Sequence, residues 1–297
     1  VNPFVSARRR FFGAIANRSW AAGWSQVAPG LLFLTVFFLV PLLMMLGASV
    51  LQRGTYGGVE FVATIEHYVR FTDALYLTIL ARTLAWSIGA TFLCLLIGYP
   101  TAWTIANAGR WKNILVFLVI MPLWSSFLVR TFAMIFLLRD SGLINTTLVA
   151  LGLIAEPLEL LYTPTAVMAG LVYGFLPFMI LPIYTSLEKL DPALLEAAEV
   201  LGARPAARFW KVIWPLSLPG VAAGSLLTFI PALGSYLTSD LLGGAKQMMI
   251  GNLVQNQFTT ARNWPFGSAA SLIVMSGVLL AVLAYLRMRD RAPGGGL

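Results

Sequence analysis

Six stretches of this chain stay apolar for longer than a globular core requires: 28–51, 77–106, 113–138, 164–187, 216–239 and 267–286. Crossing a hydrocarbon layer of about 30 Å takes about 20 helical residues at a rise of about 1.5 Å each. Each stretch reaches that length. None alternates between apolar and polar positions as the strand of a membrane barrel does, and lipid admits only helices or closed barrels. The pattern predicts an all-α integral membrane protein with six transmembrane helices. Between the apolar stretches lie polar segments, of which 188–215 is basic and internally patterned.

Composition agrees with the pattern. The chain of 297 residues is 59% apolar and 11% charged with a mean hydropathy of +0.81, whereas soluble domains carry about 25% charged residues. The apolar stretches follow one another without a linker. One transmembrane domain is therefore expected over 28–287, between a basic cytoplasmic segment, 1–27, and a flexible cytoplasmic tail, 288–297. A net charge of +8 would point to nucleic acid in a soluble protein. Here the distribution of that charge gives orientation instead, and no nucleic-acid partner is expected. Arg8, Arg9, Arg10, Arg18, Arg110, Lys112, Lys189, Arg204, Arg208, Lys211, Arg287, Arg289 and Arg291 fall on one side of the predicted bilayer. Only Arg53, Arg70, Arg82, Arg139, Lys246 and Arg262 fall on the other. The positive-inside rule places both termini and the 188–215 loop in the cytoplasm.

Several features are read as structural. The stretch Ala7-Arg8-Arg9-Arg10-Phe11-Phe12 is faintly similar to a twin-arginine export signal, but the apolar run begins well downstream and five more follow, so it reads as a positive-inside anchor. The lone cysteine, Cys94, and the lone histidine, His67, offer neither a disulfide framework nor a metal site. Pro41, Pro122, Pro177, Pro182 and Pro231 predict kinks within spans. The outer segment 139–163 should contain a short interfacial helix or a re-entrant segment, with a turn and helix start at Gly142–Asn145, and 241–265 a half-buried helix around Met248, Met249, Ile250 and Leu253.

Arg130 lies near the middle of the third apolar run. A guanidinium at that depth costs at least about 2.5 kcal/mol, so it must face protein, water or a partner. It reads either as a gate or pathway residue or as a structural group, paired with carbonyls at a helix break or snorkelling from a tilted helix. The central parts of the spans contain no carboxylate. A cationic cargo would meet only carbonyls, hydroxyls and the faces of Trp124, Tyr173, Phe178 and Tyr236. Any acids would have to come from a partner subunit.

The 188–215 loop carries local signals of its own. Asp191-Pro192 starts a helix, with the aspartate capping free amides and the proline in the first turn. Gly202 ends it. Pro205 can begin a second short helix through Trp210, before Pro215 leads into the fifth span. The prediction is a helix–turn–helix elbow along the membrane surface, with Ala197 and Ala198 forming a small-residue face and Glu196 and Glu199 adding negative charge.

Glu196-Ala197-Ala198, three residues, Gly202, nine residues and Val212-Ile213-Trp214-Pro215 resemble the EAA loop of ABC importer permeases at every spacing. Val212 stands where the pattern has Ile, and Trp214 where it has Leu. Phe175-Leu176-Pro177-Phe178-Met179-Ile180-Leu181-Pro182, Leu128-Val129-Arg130-Thr131, Gly142-Leu143-Ile144-Asn145, Phe229-Ile230-Pro231-Ala232-Leu233-Gly234-Ser235-Tyr236 and Asn263-Trp264-Pro265-Phe266-Gly267 extend the resemblance. They are similar to the B-type permeases of spermidine/putrescine transporters. The resemblance implies a type I importer (MetI-like) fold in a bacterial inner membrane and no enzymatic activity. It also implies a second permease, as a hetero-dimer partner, two copies of an ATPase and a periplasmic substrate-binding protein.

In that family Glu196, Ala197, Ala198, Gly202 and Pro215 would form the ATPase-coupling loop. The chain has no Walker phosphate loop, so ATP and Mg would be bound by the ATPase, and the chain itself needs no cofactor. Polyamines are the expected cargo. Opine-like, amino-acid-derived and phosphonate compounds are the alternative, and Arg130, being part of the group's own pattern, does not argue for an anion. A secondary transporter would need intramembrane acids or broken-helix ion sites and an inverted repeat, and the sequence shows no such acid and no obvious repeat. A membrane scaffold would explain the docking loop but not the six-span resemblance.

Overall fold

The computed structural model describes residues 19–244 and 246–291. The arginines at 8–10 and the tail at 292–297 lie outside the described residues. In chain order the helices are α1 (Ser19–Leu34), α2 (Val40–Ser49), α3 (Glu66–Phe71), α4 (Ala74–Ala106), α5 (Lys112–Ile120), α6 (Phe127–Leu138), α7 (Leu143–Ala150) and α8 (Pro164–Glu188). They continue with α9 (Pro192–Val200), α10 (Pro205–Arg208), α11 (Trp214–Gly234), α12 (Leu237–Gly243), α13 (Ile250–Thr259) and α14 (Trp264–Arg291). Strands β1 (Leu51–Arg53) and β2 (Val59–Ala63) pair antiparallel.

Among the described residues, five helical stretches are long and apolar enough to cross a membrane: Gly23–Ser49, Ala74–Ala106, Pro164–Glu188, Pro205–Gly234 and Trp264–Leu283. A sixth span exists if Gly109–Trp124 and Phe127–Ala150 are taken together, and these are bent by 94°. The uninterrupted helix expected over 113–138 is therefore broken. Pro122 contributes no amide to the helix, and Ser125 and Ser126 adopt extended backbone, with ψ of 147° and 140°. The Ser125 hydroxyl donates to the Pro122 carbonyl at 2.8 Å, which holds the corner.

The described residues form two compact units, 19–70 with 260–291, and 71–259. In the first, α2 packs on α14. The β1–β2 hairpin is pinned to the start of α14 by Arg53, which donates to the Ala261 carbonyl at 2.8 Å, and by the Gly58 amide, which donates to the Arg262 carbonyl at 3.1 Å. His67 is buried, with a ring nitrogen 3.0 Å from the Leu51 carbonyl oxygen, which fits its structural reading. A π turn at Thr35–Leu39 precedes Pro41.

The second unit is organised around α8, which packs on both α4 and α11. Small residues make this possible. A Cβ added at Gly220 would lie 2.5 Å from the Pro182 carbonyl oxygen, so α11 and α8 approach backbone to backbone. Both expected outer helices are present. In α7, Asn145 donates to the Leu158 carbonyl and accepts from the Leu158 amide, each at 2.9 Å, which folds the following loop back. In α13, Ile250 and Leu253 are buried, and the Ile250 amide donates to the Thr83 hydroxyl at 2.9 Å.

Candidate functional site

Two places in the second unit combine polar chemistry with an unusual setting: the elbow at 191–215 and a cavity beside Arg130. The elbow is built from short-range signals. Asp191 caps α9 by accepting from the Ala193 amide at 2.9 Å, with Pro192 in the first turn. At the other end Gly202 has φ of +75°, where a Cβ would be strained. Its amide donates to the Glu199 carbonyl, and the Ala203 amide to the Ala198 carbonyl, each at 2.9 Å. This pair of bonds is a Schellman stop, and it satisfies carbonyls that the helix end would otherwise leave free. Glu199 then pairs with Arg208, tying α9 to α10.

The two faces of the elbow differ. Leu190, Leu195, Phe209 and Trp214 pack against a core containing Tyr99, Ile105, Tyr184, Leu187 and the buried Ile213. Glu196 and Ala197 are exposed, and Ala198 is half-buried. Beside them Val200 and Leu201 keep 88% and 87% of their surface open and extend the patch with two apolar side chains. The elbow thus offers a patch of small, acidic and apolar groups on a firmly anchored base.

Pro215 corrects the expected ending. In place of a separate short helix followed by a new span, Pro205–Gly234 forms one helical stretch of 30 residues. A π turn at Phe209–Ile213 makes this possible: the Trp214 amide reaches back to the Phe209 carbonyl, so the backbone widens just before the proline ring must be fitted. Trp214, the departure from the EAA pattern, fills the corner with its ring 5.3 Å from Tyr99 and 6.3 Å from Phe209. An ion pair that sequence reading missed sits just ahead of the elbow. Lys112 pairs with Glu188 and lies 5.7 Å from the Tyr184 ring centroid, joining the start of α5 to the end of α8. The only sequence signal is that both charges flank apolar runs on the same predicted side.

The cavity lies between α4, α6 and α8 and measures about 680 Å³. Its walls are apolar except for Arg130, Thr165 and Tyr173. The Arg130 guanidinium carbon is 5.5 Å from the Phe127 ring centroid, while its Nε and Nη1 are buried and hydrogen-bond to nothing among the described residues. Tyr236 lies elsewhere, in a smaller cavity of about 220 Å³ shared with Phe127 and Phe175. Trp124 and Phe178 line neither cavity. Trp124 is 72% exposed with its ring edge-on to Phe117 at 5.4 Å, and Phe178 lies 6.4 Å from Phe175. The structure therefore brings Arg130 and Tyr173 together and leaves the other expected pathway aromatics apart. Among the described residues no group of His, Cys, Asp and Glu is placed to hold a metal ion.

With this geometry in view, known proteins give a consistent comparison. Residues 94–291 match the family described as binding-protein-dependent transport system inner membrane component. The chain is 42% identical over 256 residues to the spermidine/putrescine transport system permease protein PotB of Escherichia coli (strain K12), covering 86% of this chain and 93% of the relative. It is 43% identical over 258 residues to the protein of the same name in Haemophilus influenzae, covering 86% and 90%. A chain in the crystal structure of a bacterial alginate ABC transporter, in complex with an alginate pentasaccharide-bound periplasmic protein, has the same fold. The TM-score is 0.75 at 19% identity, covering 97% of this chain and 100% of that one.

Proposed function

This chain belongs to the family of binding-protein-dependent transport inner membrane components, the permease subunits of ABC importers, and we propose that it forms half of the translocation pathway of an ATP-driven polyamine importer. The observation that carries the reading is the elbow. Its exposed Glu196–Ala197 patch, with Val200 and Leu201 beside it, is anchored directly to a membrane-spanning helix. Such a surface suits an ATPase cleft, and two ATPase copies, binding ATP and Mg, would engage this subunit and a second permease. The excess of Lys and Arg beside it supports a cytoplasmic placement of the elbow and of both termini.

Mechanical coupling follows from the continuity of the helix. A stretch of 30 residues spans about 45 Å at about 1.5 Å per residue. Movement of the elbow by the closing motors is therefore carried along α11, which packs tightly on α8 at Gly220, and α8 forms a wall of the Arg130 cavity. No bond of the cargo is made or broken. Spermidine and putrescine are the favoured cargo because the names of the near-full-length relatives specify them, and a periplasmic binding protein would deliver them. Reconstitution with the second permease, the ATPase and the binding protein tests this. ATP-dependent uptake of labelled spermidine is expected. Uptake of an opine or a phosphonate, with none of spermidine, would overturn the cargo assignment.

A further inference from the structure

The Arg130 cavity lacks a negative charge. An arginine does not lose its proton in a protein and carries five N–H donors, so burying it without acceptors leaves a large penalty. Two of its nitrogens are buried without a hydrogen-bond partner among the described residues, and the cation–π contact with the Phe127 ring, 5.5 Å from the guanidinium carbon, supplies no counter-charge. The walls contribute Thr165 and Tyr173 as further polar side chains, and no carboxylate. A polyamine cannot complete the site, because it is itself a cation.

Depth distinguishes the remaining sources. Lipid phosphates sit at the edge of the hydrocarbon layer, about 15 Å from its centre. The cavity runs from Thr165, in the first turn of α8, to Leu176; the Arg130 guanidinium lies against Phe127, whose ring meets Gly174, about 15 Å along α8 from Pro164 at a rise of about 1.5 Å per residue. That position is close to the mid-plane, out of reach of a phosphate but accessible to a side chain on another helix. The flank is also open: Tyr173 is 44% exposed, and Val129 on α6 is 60% exposed. The central parts of this chain's own spans hold no acid.

Resting on the reading of this chain as one half of a permease pair, we propose that Arg130 is completed by a carboxylate on a membrane-spanning helix of the second permease. The cavity is then an obligate subunit contact. It places a fixed acid of the partner within hydrogen-bond reach of α6 and α8, and neutralises the guanidinium inside the bilayer. Charge complementarity decides for a carboxylate over a carbonyl. A bidentate arginine–carboxylate pair satisfies two donors and cancels the charge, which a carbonyl does not.

The assembled importer in lipid vesicles provides the test. Arg130→Lys places a primary amine in the cavity, and dicyclohexylcarbodiimide joins an amine to an adjacent buried carboxylate as an amide. A covalent product joining the two permeases is expected, at least about tenfold above that of Arg130→Leu per assembled permease pair, with peptide mapping locating the far end on an Asp or Glu of the second subunit. No excess over Arg130→Leu in an intact complex would overturn the proposal. So would phospholipid that is retained by the wild-type complex and lost from Arg130→Leu, since that result assigns the site to a lipid phosphate. An independent arm covers failure of Arg130→Lys to assemble. Arg130→Asp is expected to reduce co-purified second permease at least about tenfold, with recovery when one intramembrane acid of that subunit is changed to Arg; recovery with none contradicts the pairing. Wild-type spermidine uptake in the same vesicles reports separately on the cargo, so either idea can fail while the other stands.

Discussion

The elbow and the Arg130 cavity are both incomplete surfaces, but they are incomplete in opposite ways. At the elbow the helix-end groups are satisfied from within. Asp191 caps one end of α9, the Gly202 and Ala203 amides close the other, and Glu199 has Arg208. Only the small, acidic and apolar patch is left over, and it tolerates water. In the cavity Arg130 is half-buried, and two of its nitrogens are buried without hydrogen-bond partners among the described residues. The first arrangement suits a partner that docks and moves through a cycle. The second suits a lasting contact, because releasing it would leave a half-buried cation without its counter-charge.

Four substitutions break or sharpen this contrast. Glu196→Lys inverts the charge of the proposed docking patch, and a charge of the wrong sign at an interface suppresses binding. Uptake is expected to fall about 100-fold, equivalent to about 2.7 kcal/mol, while the second permease still co-purifies in normal yield. Arg130→Leu should show the reverse. The yield of permease pair falls about tenfold, about 1.4 kcal/mol, and whatever assembles binds the ATPase with unchanged affinity. Size-exclusion chromatography and ATPase pull-down on both variants separate the two effects.

Gly202→Val tests the elbow's geometry rather than its charge. A β-branched residue at φ of +75° costs about 1–2 kcal/mol, so coupling efficiency, measured as spermidine imported per ATP, should drop several-fold without loss of the permease pair. Asp191→Ala removes one cap, worth about 1 kcal/mol. A small increase in amide hydrogen exchange confined to 193–195 is expected, with uptake within about twofold of wild type. If Asp191→Ala matched Glu196→Lys in severity, the elbow would depend on its fold more than on its exposed patch.

These regions were not equally legible. Most of the elbow could be read from residues at most a few positions apart, because caps, a first-turn proline and a left-handed glycine act locally. Its far end was not. Pro215 signals a break, but a π turn at Phe209–Ile213 absorbs the proline, and the choice of a wide turn depends on the packing of Trp214 against Tyr99, which is remote in sequence. The third span shows the converse. Hydropathy marks 113–138 as continuous, while the extended backbone at Ser125 and Ser126 turns the chain through 94° without any change in apolar character. Arg130 was conspicuous as a charge in an apolar run, but its cavity was not visible in the sequence. Its walls come from three helices whose contributing residues follow no shared spacing. The aromatics named with it were chosen by type, and only Tyr173 proves to share its cavity.

The most direct test of the account measures spermidine uptake and ATP hydrolysis in the same vesicles, with the full importer carrying either wild-type chain or Glu196→Lys. Wild-type vesicles are expected to accumulate spermidine only with ATP and loaded binding protein, and to hydrolyse ATP faster when spermidine-loaded binding protein is present. Glu196→Lys vesicles should retain both permeases and lose both activities together. Uptake at the wild-type rate through Glu196→Lys, or wild-type uptake without ATP, would contradict it.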